Sequence, residues 1–171
     1  QRQMCIRDRT GVDYIITTIR AGGDAGRLFD EQTCLAHGVL GQETTGAGGF
    51  AMAIRSVPTL VYYCTLAREV ANPGHLIFNF TNPSGIITQA LRSKGFDNVY
   101  GICDAPSGFI KQLEEILEIP YGTLDIECYG LNHLSWFRNA KVNGRDVQRE
   151  LLDNPRTYEH SEMRLFTREM A

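Results

Sequence analysis

Three short runs rich in β-branched and aromatic residues, at positions 12–19, 76–80 and 98–103, constrain the fold of this chain more than any other feature. Each run is nearly continuous in apolar residues and stops at polar residues with glycine or proline close by, which is typical of a buried strand in a parallel sheet. A helical pattern follows the second run at 86–92 and the third run from residue 104 onward. Strand–helix units in this succession predict a doubly wound α/β sheet with right-handed crossovers.

The segment between the first two runs is predicted to be part loop and part helix. Residues 24–49 are rich in glycine, threonine and polar groups, so we expect a long irregular stretch, which in a compact domain is usually functional or disordered. Its glycines at 46–49 either let the backbone approach a ligand closely or form a flexible lid. A helix is predicted over 57–71, with Ser56 as its N-cap and Pro58 in its first turn.

The tail of the chain changes character. Residues 125–137 and 139–142 have the composition of strands, and Asn143 with Gly144 is a strong signal for a hairpin turn. This pattern predicts antiparallel structure after the parallel sheet. A second domain is therefore expected, and residues 106–171 are predicted to begin it.

The domain organisation predicted before that point has two parts. Residues 1–9 match neither a strand nor a helix and resemble translated adapter read-through, so we treat them as a non-native leader, with a polar native loop as the alternative. Residues 10–105 are predicted to form the domain that contains the parallel sheet.

Composition limits the class of protein. With 171 residues, 43% of them hydrophobic, the chain is long enough to build a hydrophobic core. The net charge of −3 argues against a nucleic-acid partner, and no run approaches the ~20 uninterrupted apolar residues of a membrane span. An apolar signal-peptide segment is also missing from the N-terminus. Five scattered cysteines without a CxxC pair are expected to be reduced thiols of a cytoplasmic protein.

Polar clusters follow all three predicted strands, at residues 20–23, 81–83 and 103–104. Ligands of an open parallel sheet bind beyond the carboxyl ends of its strands, at one edge of the sheet. We therefore expect the three clusters to converge on that edge.

Four of the candidate residues also have a purely structural explanation. Asn82 could cap a helix that begins at Pro83, and Asp104 could cap the helix that follows it. Cys103, at the end of an apolar strand, could be a small buried hydrophobe. His133 is predicted to lie in an otherwise apolar strand, where a histidine is more often a satisfied core group than a ligand. Cys103 and His133 are too far apart in the chain to form a short metal-binding motif.

Five segments together resemble the family 4 glycoside hydrolases, the NAD- and metal-dependent class, over almost all of residues 11–150. In chain order they are DYIITTIRAGG, HGVLGQETTGAGGF, NFTNPSGIITQAL, GICDAPSG and GLNHLSWFRNAKVNGRDV. Within these segments, QETTGAGGF and NPSG resemble the 6-phospho-β-glucosidase branch. The resemblance implies an α/β fold in which this chain is an internal fragment: the C-terminal half of a Rossmann-like, NAD-binding parallel sheet, leading into a truncated, mixed α+β second domain with catalytic and oligomerisation roles.

The resemblance also implies roles for particular residues. Cys103 and His133 match the two protein ligands of a catalytic divalent metal ion, usually Mn²⁺. Asp104 matches a candidate general acid, and Glu43 matches a carboxylate that raises the basicity of a catalytic tyrosine.

Substrate and cofactor contacts are implied in the same way. Arg27, Asn82 and Asn132 are expected to bind substrate. Ile19, Arg20 and again Asn82 are expected to lie along the NAD cofactor.

The implied activity is hydrolysis of 6-phospho-β-glucosides by NAD⁺-dependent oxidation at C3, elimination of the aglycone and addition of water, a route outside the usual two-carboxylate scheme. The substrate would be a phosphorylated disaccharide or glucoside, and the full-length protein would be a homodimer or homotetramer. The glycine-rich cofactor turn and the catalytic tyrosine are expected to lie outside this chain, so the fragment alone is expected to be inactive.

Two other functions remain open. The sequence from Cys103 to Pro106 resembles the 6-phospho-α-glucosidase branch of the same family, because the β branch usually has asparagine where Asp104 stands. An NAD-dependent 2-hydroxyacid dehydrogenase on a related sheet would bind the same cofactor without needing a metal ion.

Overall fold

A computed structural model of the chain describes residues 10–159, which divide into two compact units between Cys103 and Asp104. The predicted leader at residues 1–9 lies outside the described residues, as do residues 160–171 of the predicted second domain. The division falls two residues before the predicted boundary at 105/106.

The first unit contains a parallel sheet of three strands in the order β1-β2-β3. Its elements, in chain order, are β1 (Tyr14–Thr17), α1 (Gly23–Ala36), α2 (Gly46–Val70), β2 (Leu76–Asn79), α3 (Ser84–Ser93) and β3 (Val99–Gly101). All three predicted strands are present, each somewhat shorter than its apolar run.

The hydrophobic core of the first unit lies on one face of this sheet. The strand register aligns Ile15 with Ile77 and Ile77 with Val99, and side chains two residues apart on a strand share a face. Ile77 and Val99 are buried in a cluster with residues of α2 and α3. Full burial of one aliphatic side chain contributes roughly 1.5–3 kcal/mol, so packing on this face stabilises the unit.

The other face of the sheet carries aromatic side chains. Tyr14 stacks on Phe78 with ring centroids 6.4 Å apart, and Phe78 contacts Tyr100 at 6.2 Å. Tyr14 is 70% exposed and Ile16 is 65% exposed. The prediction that the first strand is buried was therefore wrong for this face. Within residues 10–159, β1 is an edge strand, and only one of its two faces is covered by other residues.

The helix predicted over 57–71 is longer than its sequence pattern indicated. It begins at Gly46 and contains Pro58 in its interior, so Ser56 is a buried mid-helix residue rather than an N-cap. An interior proline costs about 3 kcal/mol, but α2 buries apolar residues on both sides of it, from Met52 to Ala67. Tertiary packing outweighs the local penalty here.

Helix α2 is also the one helix within the described range whose length and composition suit a membrane crossing. That is weak evidence, because the core helix of a soluble protein passes the same test. Leu60, Cys64 and Ala67 of α2 are buried in the core cluster of the first unit, as expected for a core helix.

The irregular stretch predicted at 24–49 is mostly helical. Helix α1 covers Gly23–Ala36, and α2 begins at Gly46, so only residues 37–45 are irregular. Helix α1 begins at Gly23, and Gly22 and Gly23 have φ values of +87° and +61°. Glycine takes this left-handed conformation without strain, and the local glycine content therefore marks a turn into a helix.

The second unit is a small antiparallel sheet with helices. Its elements are α4 (Ala105–Ile116), β4 (Leu124–Leu131), β5 (Leu134–Val142), β6 (Arg145–Asp146), α5 (Gln148–Asp153) and α6 (Pro155–Glu159). The strands pair in the order β4-β5-β6. The buried carboxylate of Glu114 accepts hydrogen bonds from the backbone N–H groups of Thr123 and Leu124, both at 2.9 Å, and so anchors the connection from α4 to β4.

The hairpin turn predicted at Asn143 and Gly144 is present between β5 and β6, with φ values of +50° and +80°. The continuous strand predicted at 125–137 was wrong, because a turn at Asn132 and His133 splits it into β4 and β5. The fold class itself is confirmed: the chain has an α/β fold with a Rossmann-like parallel sheet followed by a second, antiparallel sheet.

Candidate functional site

The carboxyl ends of β1, β2 and β3 lie at the same edge of the sheet, because the strands are parallel and in register. We call the residues at this edge, 18–23, 80–83 and 102–103, the carboxyl rim. All three polar clusters predicted from the sequence begin on the rim.

Asn79, the last residue of β2, is fully buried at the base of the rim. Its side-chain oxygen accepts hydrogen bonds from Thr17 Oγ1 at 2.9 Å and from the N–H of Thr81 at 3.2 Å. Its side-chain nitrogen donates to the carbonyl oxygen of Thr81 at 3.2 Å and to Thr88 Oγ1 at 3.3 Å. One amide thus joins the end of β1, the turn after β2 and helix α3.

Thr81 passes this network on to the rim after β1. Its buried side-chain oxygen accepts a hydrogen bond from the N–H of Ile19 at 3.0 Å. Asn82 follows at a half-buried position, and the bond between Asn82 and Pro83 is cis. Ile19 and Asn82, both predicted to lie along a cofactor, are therefore held by neighbouring residues of one network.

Asn82 is not the N-cap of the following helix. That position belongs to Pro83, and α3 begins at Ser84. Within residues 10–159 no hydrogen bond involves the Asn82 side chain. The amide is therefore available to a ligand rather than used for capping.

A cluster of charged side chains surrounds Glu43, whose side chain is only 15% exposed. Its Oε2 atom forms an ion pair with Arg20 Nη1 and lies 3.7 Å from Arg27 Nη1. Arg27 Nε also donates to Glu31 Oε1 at 2.8 Å, and Arg20 Nε lies 3.4 Å from Asp24. Three residues predicted as site residues, Arg20, Arg27 and Glu43, are thus brought into one cluster by β1, α1 and the loop before α2.

The electrostatics of this cluster keep Arg27 charged. The hydrogen bond to Glu31 raises the pKa of the Arg27 guanidinium, and the negative charge of Glu43 raises it further. Because the Arg27 side chain is 41% exposed, this cation remains accessible to an anionic ligand.

A further ion pair joins α2 to α1. Arg55 of α2 pairs with both carboxylate oxygens of Asp30 on α1, with 2.9 Å between Nη1 and Oδ1. The Asp30 side chain is 6% exposed, and Arg55 Nε also donates to the carbonyl oxygen of Ala21 at 3.4 Å. The hydrogen bonds to Asp30 raise the pKa of Arg55. This pair ties α1 and α2 to the turn that follows Arg20.

Gly48 and Gly49 serve close packing rather than a flexible lid. A Cβ atom on Gly48 would lie 2.7 Å from the carbonyl oxygen of Gln42, and one on Gly49 would lie 2.6 Å from the carbonyl carbon of Thr44. The Gln42 side chain in turn accepts hydrogen bonds from the backbone N–H groups of Thr44 and Thr45. The loop that carries Glu43 is therefore fixed against the first turn of α2.

Cys103 lies at the rim after β3, in a half-buried position. The preceding residue, Ile102, donates its N–H to the carbonyl oxygen of Asn79 at 2.9 Å. The Asn79 network therefore also fixes the backbone next to Cys103. This cysteine is less buried than expected for a small core hydrophobe, which would resemble Cys64 at 1% exposure.

In the second unit, Asp104 is exposed and occupies the N-cap position of α4, but its side chain makes no capping hydrogen bond. Its carbonyl oxygen accepts from Ser107 Oγ at 2.9 Å and from the N–H of Gly108 at 2.8 Å. The carboxyl group of Asp104 is therefore available for chemistry.

His133 lies in the turn between β4 and β5, exposed and with a φ of +60°. The prediction that it lies in an apolar strand was wrong, and with it the explanation that it is a core histidine. The neighbouring Asn132 is half-buried, and its buried Oδ1 atom has no hydrogen-bond partner in the described part of the chain. A turn residue with a left-handed backbone and an unsatisfied neighbour is more typical of a functional position than of a core position.

No group of three or more histidine, cysteine or acidic side chains gathers around a common point among residues 10–159. Thiolate and imidazole are ligands of divalent transition metals, so the donor chemistry of Cys103 and His133 suits such an ion. The described chain does not offer a complete coordination shell on its own.

Three residues that support the rim and the charged cluster were missed from the sequence: Asn79, Asp30 and Arg55. Asn79 carries a weak signal, since it interrupts the apolar run LIFNF with a polar residue. Asp30 and Arg55 are 25 positions apart, and no spacing rule links them.

A Rossmann-like parallel sheet with a polar, charged carboxyl rim defines the class of α/β proteins that bind ligands at the strand ends. Within that class, the family model for family 4 glycosyl hydrolases matches residues 4–119. The chain therefore belongs to family 4 of the glycosyl hydrolases, as its five motifs indicated.

Similar proteins fall in more than one branch of the family. The 6-phospho-beta-glucosidase BglT of Thermotoga maritima is 39% identical over 142 residues, 82% of this chain and 34% of the relative. A structure of the T. maritima 6-phospho-beta glucosidase with manganese, NAD⁺ and glucose-6-phosphate matches with a TM-score of 0.80 and 35% identity, over 90% of this chain and 37% of that one. A 6-phospho-alpha-glucosidase from gut microorganisms, in complex with NAD and Mn²⁺, matches with a TM-score of 0.80 and 30% identity, over 91% and 36%. The chain spans about a third of the length of these proteins.

Proposed function

We propose that the protein, in its full natural length, hydrolyses 6-phospho-β-glucosides with NAD⁺ and a divalent metal ion, Mn²⁺ above all, as cofactors. Family membership supports this, as do similar proteins that carry this name and bind NAD⁺, manganese and glucose-6-phosphate. The structural observation that carries the proposal is the Glu43 carboxylate, held by Arg20 and Arg27 beside the carboxyl ends of a parallel sheet. Such sheets bind their ligands at this edge.

The residues of the first unit suit a dinucleotide at the carboxyl rim. Arg20 is one-third exposed, and the half-buried amide of Asn82 makes no hydrogen bond within the described range. We assign Ile19, Arg20 and Asn82 to the NAD⁺ side of the site, and we assign cofactor binding to the first unit as a whole.

We assign the metal ion to Cys103 and His133, with substrate oxygens and water completing its shell. When bound, NAD⁺ supplies reversible hydride removal at C3 of the sugar, and the metal ion supplies Lewis-acid polarisation of the carbonyl group formed there.

The other assigned residues bind, orient and move protons. Arg27 stays charged and binds an anionic or hydroxyl group of the substrate, and Glu43 raises the basicity of the catalytic tyrosine that the family resemblance implies. Asn82 and Asn132 donate to or accept from sugar hydroxyls, and the unsatisfied Oδ1 of Asn132 supports that role. Asp104, with its carboxyl group outside the helix cap, donates a proton to the leaving oxygen, which typically contributes about 10²–10⁴-fold in rate.

The experiment is a turnover assay with 4-nitrophenyl 6-phospho-β-glucoside. We expect release of nitrophenol only when NAD⁺, Mn²⁺ and a reductant are all present, and we expect EDTA to abolish it. Full turnover after chelation would contradict the proposal. Metal-independent oxidation of a 2-hydroxyacid, without release of nitrophenol, would support the dehydrogenase alternative instead.

A cysteine pair supplies a matched control for the metal assignment. Cys103→Ser should raise the Mn²⁺ concentration needed for half-maximal activity by more than about 100-fold, because even outer-shell changes at metal sites cost about 10–100-fold. Cys128→Ser, at an exposed cysteine of β4, should leave the Mn²⁺ titration unchanged. Equal titrations for both variants would refute the assignment of Cys103.

A 6-phospho-α-glucosidase is the second candidate, and Asp104 is the observation that favours it, because the resemblance places an acid at this position in the α branch. Turnover of the two 4-nitrophenyl 6-phosphoglucoside anomers, compared for the wild type and Asp104→Asn, separates the candidates. Preference for the β anomer supports the first candidate, and preference for the α anomer that is lost in the variant supports the second.

A further inference from the structure

Asn79 connects the ends of all three strands at the carboxyl rim. Its side chain bonds to Thr17 at the end of β1, and its carbonyl oxygen accepts from the N–H of Ile102 after β3 at 2.9 Å and from Ser84 Oγ at 3.2 Å. Ile102 is followed directly by Cys103. The positions of the rim backbone after β1, β2 and β3 therefore depend on one side chain and its own peptide group.

Burial of the Asn79 amide costs desolvation free energy, which its hydrogen bonds offset. A buried polar group without partners is strongly destabilising, but both acceptor positions and the donor group of this amide are in use. An aliphatic residue of similar size would fill the same space in β2 at no such cost. The selection of an amide here is explained by the groups it orients.

The surrounding residues are fitted to this amide. A Cβ atom on Gly101 would lie 2.7 Å from Thr88 Oγ1 and 3.0 Å from Ser84 Oγ, so β3 can approach α3 closely only with glycine at this position. Thr88 Oγ1 is in turn an acceptor for Asn79. Sheet, turn and helix are thus locked around one polar centre below the rim.

We propose that Asn79 is the positioning residue of the cofactor side of the rim. Its amide fixes Thr81, and through Thr81 the N–H of Ile19 and the turn that carries Asn82, in the arrangement that binds NAD⁺. This role rests on the function proposed above, and it adds a residue that does not itself contact the cofactor.

The test measures NAD⁺ affinity by calorimetry, in the full natural length of the protein, so that no turnover is needed. Thr17→Val and Thr88→Val each remove one partner of the amide with little change in shape, and each should raise the Kd for NAD⁺ about tenfold. Thr17→Ser keeps the hydroxyl donor and should restore the Kd to within about twofold of the wild type. Asn79→Asp replaces the donor group by an acceptor and should raise the Kd most.

The matched control is Asn98→Ala, which removes a half-buried side-chain amide at the amino ends of the strands, opposite the carboxyl rim. Asn98 Nδ2 donates to the carbonyl oxygen of His75 at 3.0 Å, next to the amino ends of β2 and β3. This variant should lower the melting temperature as much as Thr17→Val while leaving the Kd within about twofold of the wild type. A purely structural role for Asn79 predicts that Kd follows melting temperature in all variants, control included.

Hydrogen exchange gives the second readout. Thr17→Val should speed exchange of the Ile19 and Thr81 amides, and Asn98→Ala should not. If the wild type binds NAD⁺ but both valine variants bind it equally well, the positioning role is refuted while the proposed function stands. If the wild type has no affinity for NAD⁺, the proposed function is itself overturned, and the positioning role with it.

Discussion

The ion pair between Asp30 and Arg55 joins α1 to α2, and its removal should be costly. The perturbation is Arg55→Gln, which keeps most of the side-chain length but deletes the charge. It leaves the Asp30 carboxylate, at 6% exposure, without a cation and frees the carbonyl oxygen of Ala21.

The magnitude follows from burial. Breaking a fully buried ion pair costs about 3–5 kcal/mol, because an uncompensated charge is left in the interior. Arg55 keeps 32% of its side chain exposed, so water screens part of the loss, and we expect a decrease of about 2–3 kcal/mol in the free energy of unfolding. For a chain of this size that corresponds to a fall of about 4–12 °C in melting temperature.

The assay is a double-mutant cycle of Asp30→Asn and Arg55→Gln, read by hydrogen–deuterium exchange of peptides from α1 and α2. The control cycle uses Arg149 and Asp153 in the second unit, which lie 2.9 Å apart but are 85% and 61% exposed. We expect a coupling energy of about 2 kcal/mol for the first pair and about 0.5 kcal/mol or less for the second. Equal coupling energies would refute the argument that burial, rather than distance, sets the strength of these pairs.

Three further predictions concern stability and pH. Burial raises the pKa of the Cys64 thiol to about 11, so alkylation of Cys64 at pH 8, followed by peptide mass spectrometry, should be about 100-fold slower in the folded than in the unfolded protein. The hydrogen bond from Asn139 holds the pKa of Glu127 below its ordinary value of 4.5. The carboxylate therefore stabilises the fold above pH 4.5, and this contribution is lost as the pH falls through the lower pKa of the folded state. Glu127→Gln should flatten the acid side of a curve of stability against pH. Gly48→Ala should destabilise the fold by about 1–3 kcal/mol in urea unfolding, because its Cβ would lie 2.7 Å from a backbone oxygen. Gly108→Ala in α4 should stabilise the fold by about 0.5–1 kcal/mol, because its Cβ would meet nothing within 4 Å.

Each of these has a contrary outcome. Rapid alkylation of Cys64 in the folded state would contradict its burial. An unchanged acid limb in Glu127→Gln would show that this carboxylate titrates normally. The two glycine variants serve as mutual controls, and the same sign of effect in both would show that the Cβ contact at Gly48 does not set its stability effect.

The strands were predictable because their periodicity reflects burial directly. Residues 12–19, 76–80 and 98–103 are apolar for the same reason that they pair in a sheet. The helices on either side of residue 40 were not predictable in the same way. Gly22 and Gly23 begin α1 and Pro58 lies inside α2. Glycine and proline usually indicate the absence of helix, but tertiary packing, which the sequence pattern does not show, keeps both segments helical.

The candidate site divides along a similar line. Arg27 and Glu43 were named from the resemblance, and the structure brings them to 3.7 Å of each other. His133 was placed in a strand because its neighbours are apolar, but it lies in a turn with positive φ, which the apolar pattern around it does not indicate. Asn79 was missed because one polar residue in a strand looks like a local exception. Its importance lies in partners 2 to 62 positions away.

Incorporation of solvent deuterium at C2 of the sugar tests the central claim most directly. The protein in its full natural length would turn over 4-nitrophenyl 6-phospho-β-glucoside in D₂O with NAD⁺ and Mn²⁺, and the released glucose-6-phosphate would be analysed by NMR. Oxidation at C3 acidifies the proton on C2, so the proposed function predicts deuterium at C2 in the product. Product formed with hydrogen retained at C2 would contradict it, and would mean that the carboxyl rim of this chain serves a different reaction.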